Sequence, residues 1–162
     1  MKAITFLKVI LITAITFVTF GANAETTLEK IKRTGKVTVG TEAAFPPFEF
    51  VENGKIVGYG KDILDYIIAD LGVELVQLDL PWQGILPGVL AGKFDFVATT
   101  VSVRPKRAAT YAFTVPIAEG TSWIMKRKGD TSIMTVDDVA GKIVSAQLSS
   151  GGQAAAEDFQ KD

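Results

Sequence analysis

An α/β fold, in which helices cover a sheet, is the architecture this sequence predicts, and three observations predict it. From residue 37 onward the apolar runs alternate between the short, continuous type of a buried strand and the three-to-four-residue spacing of an amphipathic helix. The strand-type runs end in polar loops rich in Thr, Ser, Gly or Pro, where an open α/β sheet carries its ligand crevice. Composition is that of a globular domain: 48% of residues are hydrophobic and 22% charged, with no low-complexity bias.

The elements follow in order. Residues 1–24 come before the folded region: Lys2 and Lys8 provide a basic start, 9–20 is an apolar run broken only by threonines, and Ala22-Asn23-Ala24 offers small residues for cleavage. This is the three-region pattern of a secretory signal peptide, cleaved after about Ala24, and the run falls short of the roughly 20 residues needed to span a bilayer. Residues 37–40 read as a first strand. Two strands, 48–51 and 56–59, flank Asn53-Gly54, a pair that tolerates the positive φ of a tight hairpin turn. In 62–71 Ile63, Leu64, Ile67, Ile68 and Leu71 recur at helical spacing, and Gly72 stands where a helix C-terminus favours a left-handed residue.

The unit then repeats, with a strand at 73–78, a short helix led by Trp82-Gln83-Gly84 and ended at Gly92, and a strand at 94–98. Beyond Arg107 the spacing changes. Tyr111, Phe113, Val115 and Pro116 mark an extended connector, followed by a strand at 122–126, a short helix at 135–139, a strand at 143–146 and a helix at 154–159 after Ser149-Ser150-Gly151-Gly152.

Charge and residue inventory exclude much chemistry. The formal charge of −1, or −3 for residues 25–162 since Lys2 and Lys8 are the charged residues before Glu25, offers no basic field for nucleic acid or an anionic membrane surface. With no cysteine and no histidine there is no disulfide framework, no thiolate nucleophile, no Ser/His relay and no ordinary zinc site. The absence of a cysteine after the signal also removes a lipoprotein anchor, so an exported protein without stable membrane insertion is expected.

The loops at the strand ends hold the polar residues that matter. The first strand leads into Glu42, Phe45 and Phe48, and the strand at 94–98 continues through Thr99, Thr100 and Ser102 to Arg104 and Arg107. A guanidinium can grip a carboxylate through two parallel hydrogen bonds and keeps its charge at any working pH. Hydroxyls and unpaired backbone groups of Thr99, Thr100 and Ser102 can point into a cleft, flat rings such as Phe45 and Trp82 can hold an aliphatic stem or attract a cation, and Ser150-Gly151 offer free backbone N–H groups at a helix start.

In order and spacing, the stretches GTEAAFPPFEF with GKIVGYGKDI, PWQGILPGVLAGKFDFVATTVSVRPKRA, YAFTVPIAEG and AGKIVSAQLSSGGQ resemble the extracytoplasmic amino-acid-binding proteins of ABC importers. These are solute-binding proteins of family 3, with the type II periplasmic binding fold. The resemblance implies two α/β lobes joined by a hinge, with 25–115 as the N-terminal part of lobe 1 and 116–162 as part of lobe 2. It implies that Arg107 grips a ligand carboxylate with help from Thr100, Ser102, Ser150 and Gly151, that Thr99 offers a carbonyl to the ligand ammonium, and that Phe45 and Trp82 flank the ligand side chain, leaving Phe48 to the core. Glu42 stands where many relatives have aspartate, Gly60 replaces another aspartate, and no threonine lies near Gly151.

In the fold so implied the chain returns from lobe 2 to complete lobe 1, whereas here it stops at Asp162. A C-terminally shortened chain is therefore the expectation, lacking the segment that would bring a second acid to the ammonium. The implied function is capture of an amino acid, polar or cationic by preference, in the periplasm and delivery to a membrane permease, with no cofactor or metal. Two alternatives stay open: a cyclohexadienyl dehydratase-like enzyme on the same fold, with Glu42 as its general acid, and a ligand-sensing domain.

Overall fold

The computed structural model describes residues 24–159, so the predicted signal segment lies outside the described residues except for Ala24. A helix absent from the sequence expectation comes first. α1 (Thr27–Thr34) is opened by a capping box in which the Thr26 hydroxyl accepts from the Glu29 N–H and the Glu29 carboxylate accepts from the Thr26 N–H. Reciprocal satisfaction of two orphan donors lets so short a helix form. Ile31 is its one buried residue and carries it onto the sheet.

That sheet has β1 (Lys36–Thr41) at its centre, with β5 (Glu74–Asp79) on one side and β6 (Phe96–Val97) on the other, all parallel. Val37 and Val39 point into the core with Ile31 and Leu64, and all four are buried. Between β1 and β5 run a small antiparallel sheet, β2 (Ala44–Phe45), β3 (Glu49–Glu52) and β4 (Lys55–Val57), and then α2 (Tyr59–Leu71). The hairpin turn forms as the sequence predicts, with Asn53 at φ 51° and Gly54 at φ 76°. The strand expected at 56–59 stops at Val57 because Gly58, at φ 120°, turns the chain into α2.

The first N–H groups of α2 meet loop carbonyls: Tyr59 donates to Pro47 O at 3.0 Å and Gly60 to Phe48 O at 2.8 Å. They fix the loop bearing Phe45 and Phe48. α3 (Trp82–Leu90) crosses back to β6 and packs through Gly88, where an added Cβ would lie 2.6 Å from the Phe94 ring. The same ring would meet a Cβ on Gly40 at 2.6 Å. Phe94 is thus wedged between a strand glycine and a helix glycine, and helix–sheet distance here is set by one aromatic ring.

Beyond β6 the one-turn helix α4 (Pro105–Ala108) starts with proline at its first turn, where the missing N–H costs nothing. The strands expected at 122–126 and 143–146 do not form. Trp123 and Met125 are exposed and Ile143 is 100% exposed, because neither segment has a neighbouring strand among the described residues; β-propensity on one chain segment cannot replace a hydrogen-bonded ladder. The helix expected at 135–139 shrinks to a 3-10 turn, Asp137–Val139. The last element, α5 (Gly151–Phe159), begins three residues earlier than predicted. Among the described residues no helix is long and apolar enough to cross a membrane.

Candidate functional site

A cleft of about 1210 Å³ opens at the carboxyl ends of β1 and β6. Loops leave these adjacent parallel strands in different directions, so their ends form a crevice with free backbone groups. Glu42, Phe45, Trp82, Thr99, Thr100, Ser102, Arg107, Ser150 and Gly151 all line it. The structure therefore brings together every residue that sequence reasoning nominated.

The floor is a hydrogen-bonded seam. Thr41, fully buried, donates its hydroxyl to Ala98 O at 3.0 Å and accepts from Gln77 Nε2 at 2.9 Å, while the Ala43 N–H donates to Asp79 Oδ1 at 2.9 Å. These bonds join the ends of β5, β1 and β6 and hold the loops that follow at fixed separation. From there the chain presents Glu42, whose Oε1 accepts from Gln147 Nε2 at 2.7 Å.

The seam continues through a residue that sequence reasoning missed. Glu49 is 2% exposed, and its carboxylate accepts from the Thr99 hydroxyl at 2.5 Å, the Thr100 N–H at 2.6 Å and the Thr100 hydroxyl at 3.0 Å. Burying a carboxylate is costly unless donors replace its water, and three donors do so here. Its signal was visible in the sequence as an acid set between Phe48 and Phe50 in a short strand, where alternation turns it to the face opposite those rings.

The segment after Ser102 adds cationic groups to the lining. Arg107 lies with its guanidinium carbon 5.3 Å from the Trp82 ring centroid; Nη1 donates to the Ser102 hydroxyl at 2.9 Å and its carbonyl at 3.1 Å, and Nη2 donates to Ser149 O at 2.9 Å. Burial lowers the Arg107 pKa and the neighbouring charge of Arg104 lowers it further, with Tyr111 opposing; an arginine starts so high that it stays protonated. Arg104 donates from Nη2 to Gly151 O at 2.7 Å. Neither guanidinium pairs with a carboxylate among the ion pairs of the described residues.

The aromatic residues divide differently from expectation. Phe45 is half exposed and stacks on Phe48 at 5.5 Å between centroids, and Phe48 meets Tyr59 edge-on at 6.3 Å. Phe48, expected in the core, lies along the cleft wall instead. Trp82 is 7% exposed and lies against the Arg107 guanidinium. No group of three or more acidic side chains able to hold a metal ion occurs among the described residues.

Comparison with known proteins bears on what this cleft is. The model of the bacterial extracellular solute-binding proteins, family 3, matches residues 37–161. A probable amino-acid ABC transporter-binding protein of Haemophilus influenzae is 29% identical over 143 residues, covering 88% of this chain and 55% of the relative. Among solved structures, an ancestral arginine-binding protein bound to arginine is 36% identical with a TM-score of 0.73, over 79% of this chain and 57% of that one. The ancestral amino acid-binding protein AncCDT-1, a precursor of cyclohexadienyl dehydratase, is 30% identical with a TM-score of 0.74, over 83% of this chain and 61% of that one. The chain spans about half the length of the curated relatives it matches. With the family model covering most of the sequence and the α/β cleft matching the solved structures, the chain belongs to the bacterial extracellular solute-binding proteins of family 3.

Proposed function

We propose that this protein captures a free amino acid outside the cytoplasm and hands it to an ABC-type permease. The observation that carries the reading is the charge content of the cleft: two guanidiniums, Arg104 and Arg107, with no carboxylate partner among the described residues, together with Glu42 and the Thr99–Thr100 edge. A zwitterion complements both kinds of charge at once. Its carboxylate displaces the Ser149 carbonyl from Arg107 and gains a charge-assisted pair in exchange for a neutral one. Its ammonium lies toward Glu42 and the carbonyl of Thr99, and its side chain runs along Phe45 and Trp82. A polar or cationic side chain suits the aromatic faces and the acid best. Ser102, Ser150 and Gly151 complete the carboxylate's donors, whereas Thr100, expected among them, already gives its N–H and hydroxyl to Glu49.

Residues 25–115 act as the first lobe and 116–162 as part of the second, with the connector near 113–116 as the hinge, and the leader up to Ala24 directs the chain to the periplasm. Several relatives are named for binding histidine, cystine or arginine, which supports an amino acid as the ligand. Equilibrium dialysis against a mixture of the twenty amino acids, followed by mass spectrometry of what the protein retains, tests the reading. Retention of one chemical group of amino acids supports it; retention of none overturns it. Incubation with prephenate in parallel distinguishes an enzyme, since only a dehydratase releases an aromatic product.

A further inference from the structure

We infer that Glu49 is a positioning residue that sets the electrical polarity of the cleft and thereby selects ligands bearing an ammonium group; this inference rests on the amino-acid-binding reading above. Four observations carry it. Glu49 is almost wholly buried, and no described lysine or arginine pairs with it, so neutral donors alone hold its carboxylate. Those donors are the Thr99 hydroxyl and the N–H and hydroxyl of Thr100, the same residues that form the cleft edge. With these donors turned back onto Glu49, the edge faces the cleft as acceptors, backed by a buried negative charge. The Thr99 hydroxyl also lies 3.5 Å from Glu42 O, so the ends of β1 and β6 are gathered around the same carboxylate.

The fourth observation is the space reserved for it. A Cβ on Gly60, in the first turn of α2, would lie 2.8 Å from Glu49 Oε2, so with glycine at residue 60 the carboxylate keeps its place against the threonines, and a side chain there would have to displace it. The result is a cleft with a fixed direction, anionic behind Thr99–Thr100 and cationic at Arg104 and Arg107. An α-amino acid fits that direction one way round. A carboxylic acid without the ammonium gains nothing from the anionic end.

The experiment compares two ligands across Glu49→Gln, which keeps the shape and removes the charge. Affinities are measured by calorimetry for L-arginine and for 5-guanidinopentanoic acid, the same molecule without its α-ammonium; where wild-type protein prefers another of the twenty amino acids, that one and its des-amino acid are used. A unit charge lost several ångströms from the ammonium at an intermediate effective dielectric weakens the amino acid by roughly tenfold or more and leaves the des-amino acid within about twofold. Glu49→Asp, which keeps the charge, retains the wild-type preference between the two. Equal weakening of both ligands, or of neither, overturns the inference. If Glu49→Gln does not fold, Gly60→Ala tests the same point, because it pushes the carboxylate off the threonines and is expected to penalise the amino acid alone; an unchanged ratio contradicts the inference. Failure of wild-type protein to bind any amino acid refutes the amino-acid-binding reading instead.

Discussion

Arg107 shows how much one side chain's surroundings decide. Its guanidinium lies against the Trp82 ring and donates to two oxygens of Ser102 and one carbonyl, so position, plane and charge are all set before a ligand arrives. A lysine has the charge without the planar fork. Arg107→Lys is therefore expected to weaken amino-acid binding by at least about thirtyfold, roughly 2 kcal/mol, and Arg107→Ala by no less; titration calorimetry of the two variants checks this. Residue-scale legibility was uneven. Arg107, Thr100 and Ser102 could be nominated because they stand in an ordered motif after a strand, whereas Glu49 reads in isolation as one acid in a short strand, with nothing local to show what it bonds. Its role depends on Thr99 and Thr100, fifty residues along the chain, and no local pattern encodes that pairing. The placement of Phe48 escaped for a similar reason: an apolar ring is a core residue by default, and its stacking on Phe45 depends on the loop's geometry.

At the scale of elements, the first half of the described chain was legible because its helices and strands carry their own period. The helix at 62–71 and the strands at 37–40 and 73–78 all appear, with boundaries shifted by a few residues. The strands at 122–126 and 143–146 do not, since a strand's stability resides in its neighbour. Two elements carry sharp expectations. The Phe94 wedge between Gly40 and Gly88 leaves no room for a methyl, so Gly88→Ala should cost about 1–3 kcal/mol despite alanine's better helix propensity, read as a lowered denaturation midpoint. Asp95 ties the start of β6 to α1 and β1: its carboxylate accepts from Lys30 Nζ at 2.7 Å and from the Thr38 N–H at 2.8 Å. Burial raises its pKa, but these two donors and the Lys30 charge outweigh it and hold the group below the ordinary carboxylate value. A depressed folded pKa stabilises above the unfolded value of about 4 and ceases to do so as pH falls through the folded one. Asp95→Asn should accordingly lower Tm at pH 7, with the gap from wild type narrowing below about pH 4.

At the scale of the whole molecule, four hydrogen bonds among the described residues join the part before the connector to the part after it. Gln147 donates to Glu42, Arg107 to Ser149 O, Arg104 to Gly151 O, and the Tyr59 hydroxyl to Ile117 O at 3.2 Å. Three of the four involve the cleft's own polar residues, so a ligand competes with them directly. On the proposed reading, a ligand carboxylate would replace the Ser149 carbonyl at Arg107 and alter what lies over Trp82. In a Trp123→Phe background, which removes an exposed indole, Trp82 fluorescence should change saturably with the bound amino acid and stay constant with glycerol. The overall architecture was legible from alternation of strand and helix patterns, and the site from its place at the strand ends. What lay beyond sequence was the closing of the loop at 147–151 onto the arginines, a contact between segments more than forty residues apart.

On the proposed reading the cleft binds a free amino acid through Arg107. A thermal-unfolding scan of the protein against each of the twenty amino acids, with Arg107→Ala alongside, tests it most directly. The account predicts a rise of several degrees for one chemical group of amino acids and none in the variant. A cooperative melt that no amino acid shifts, or a shift that Arg107→Ala retains in full, would contradict it.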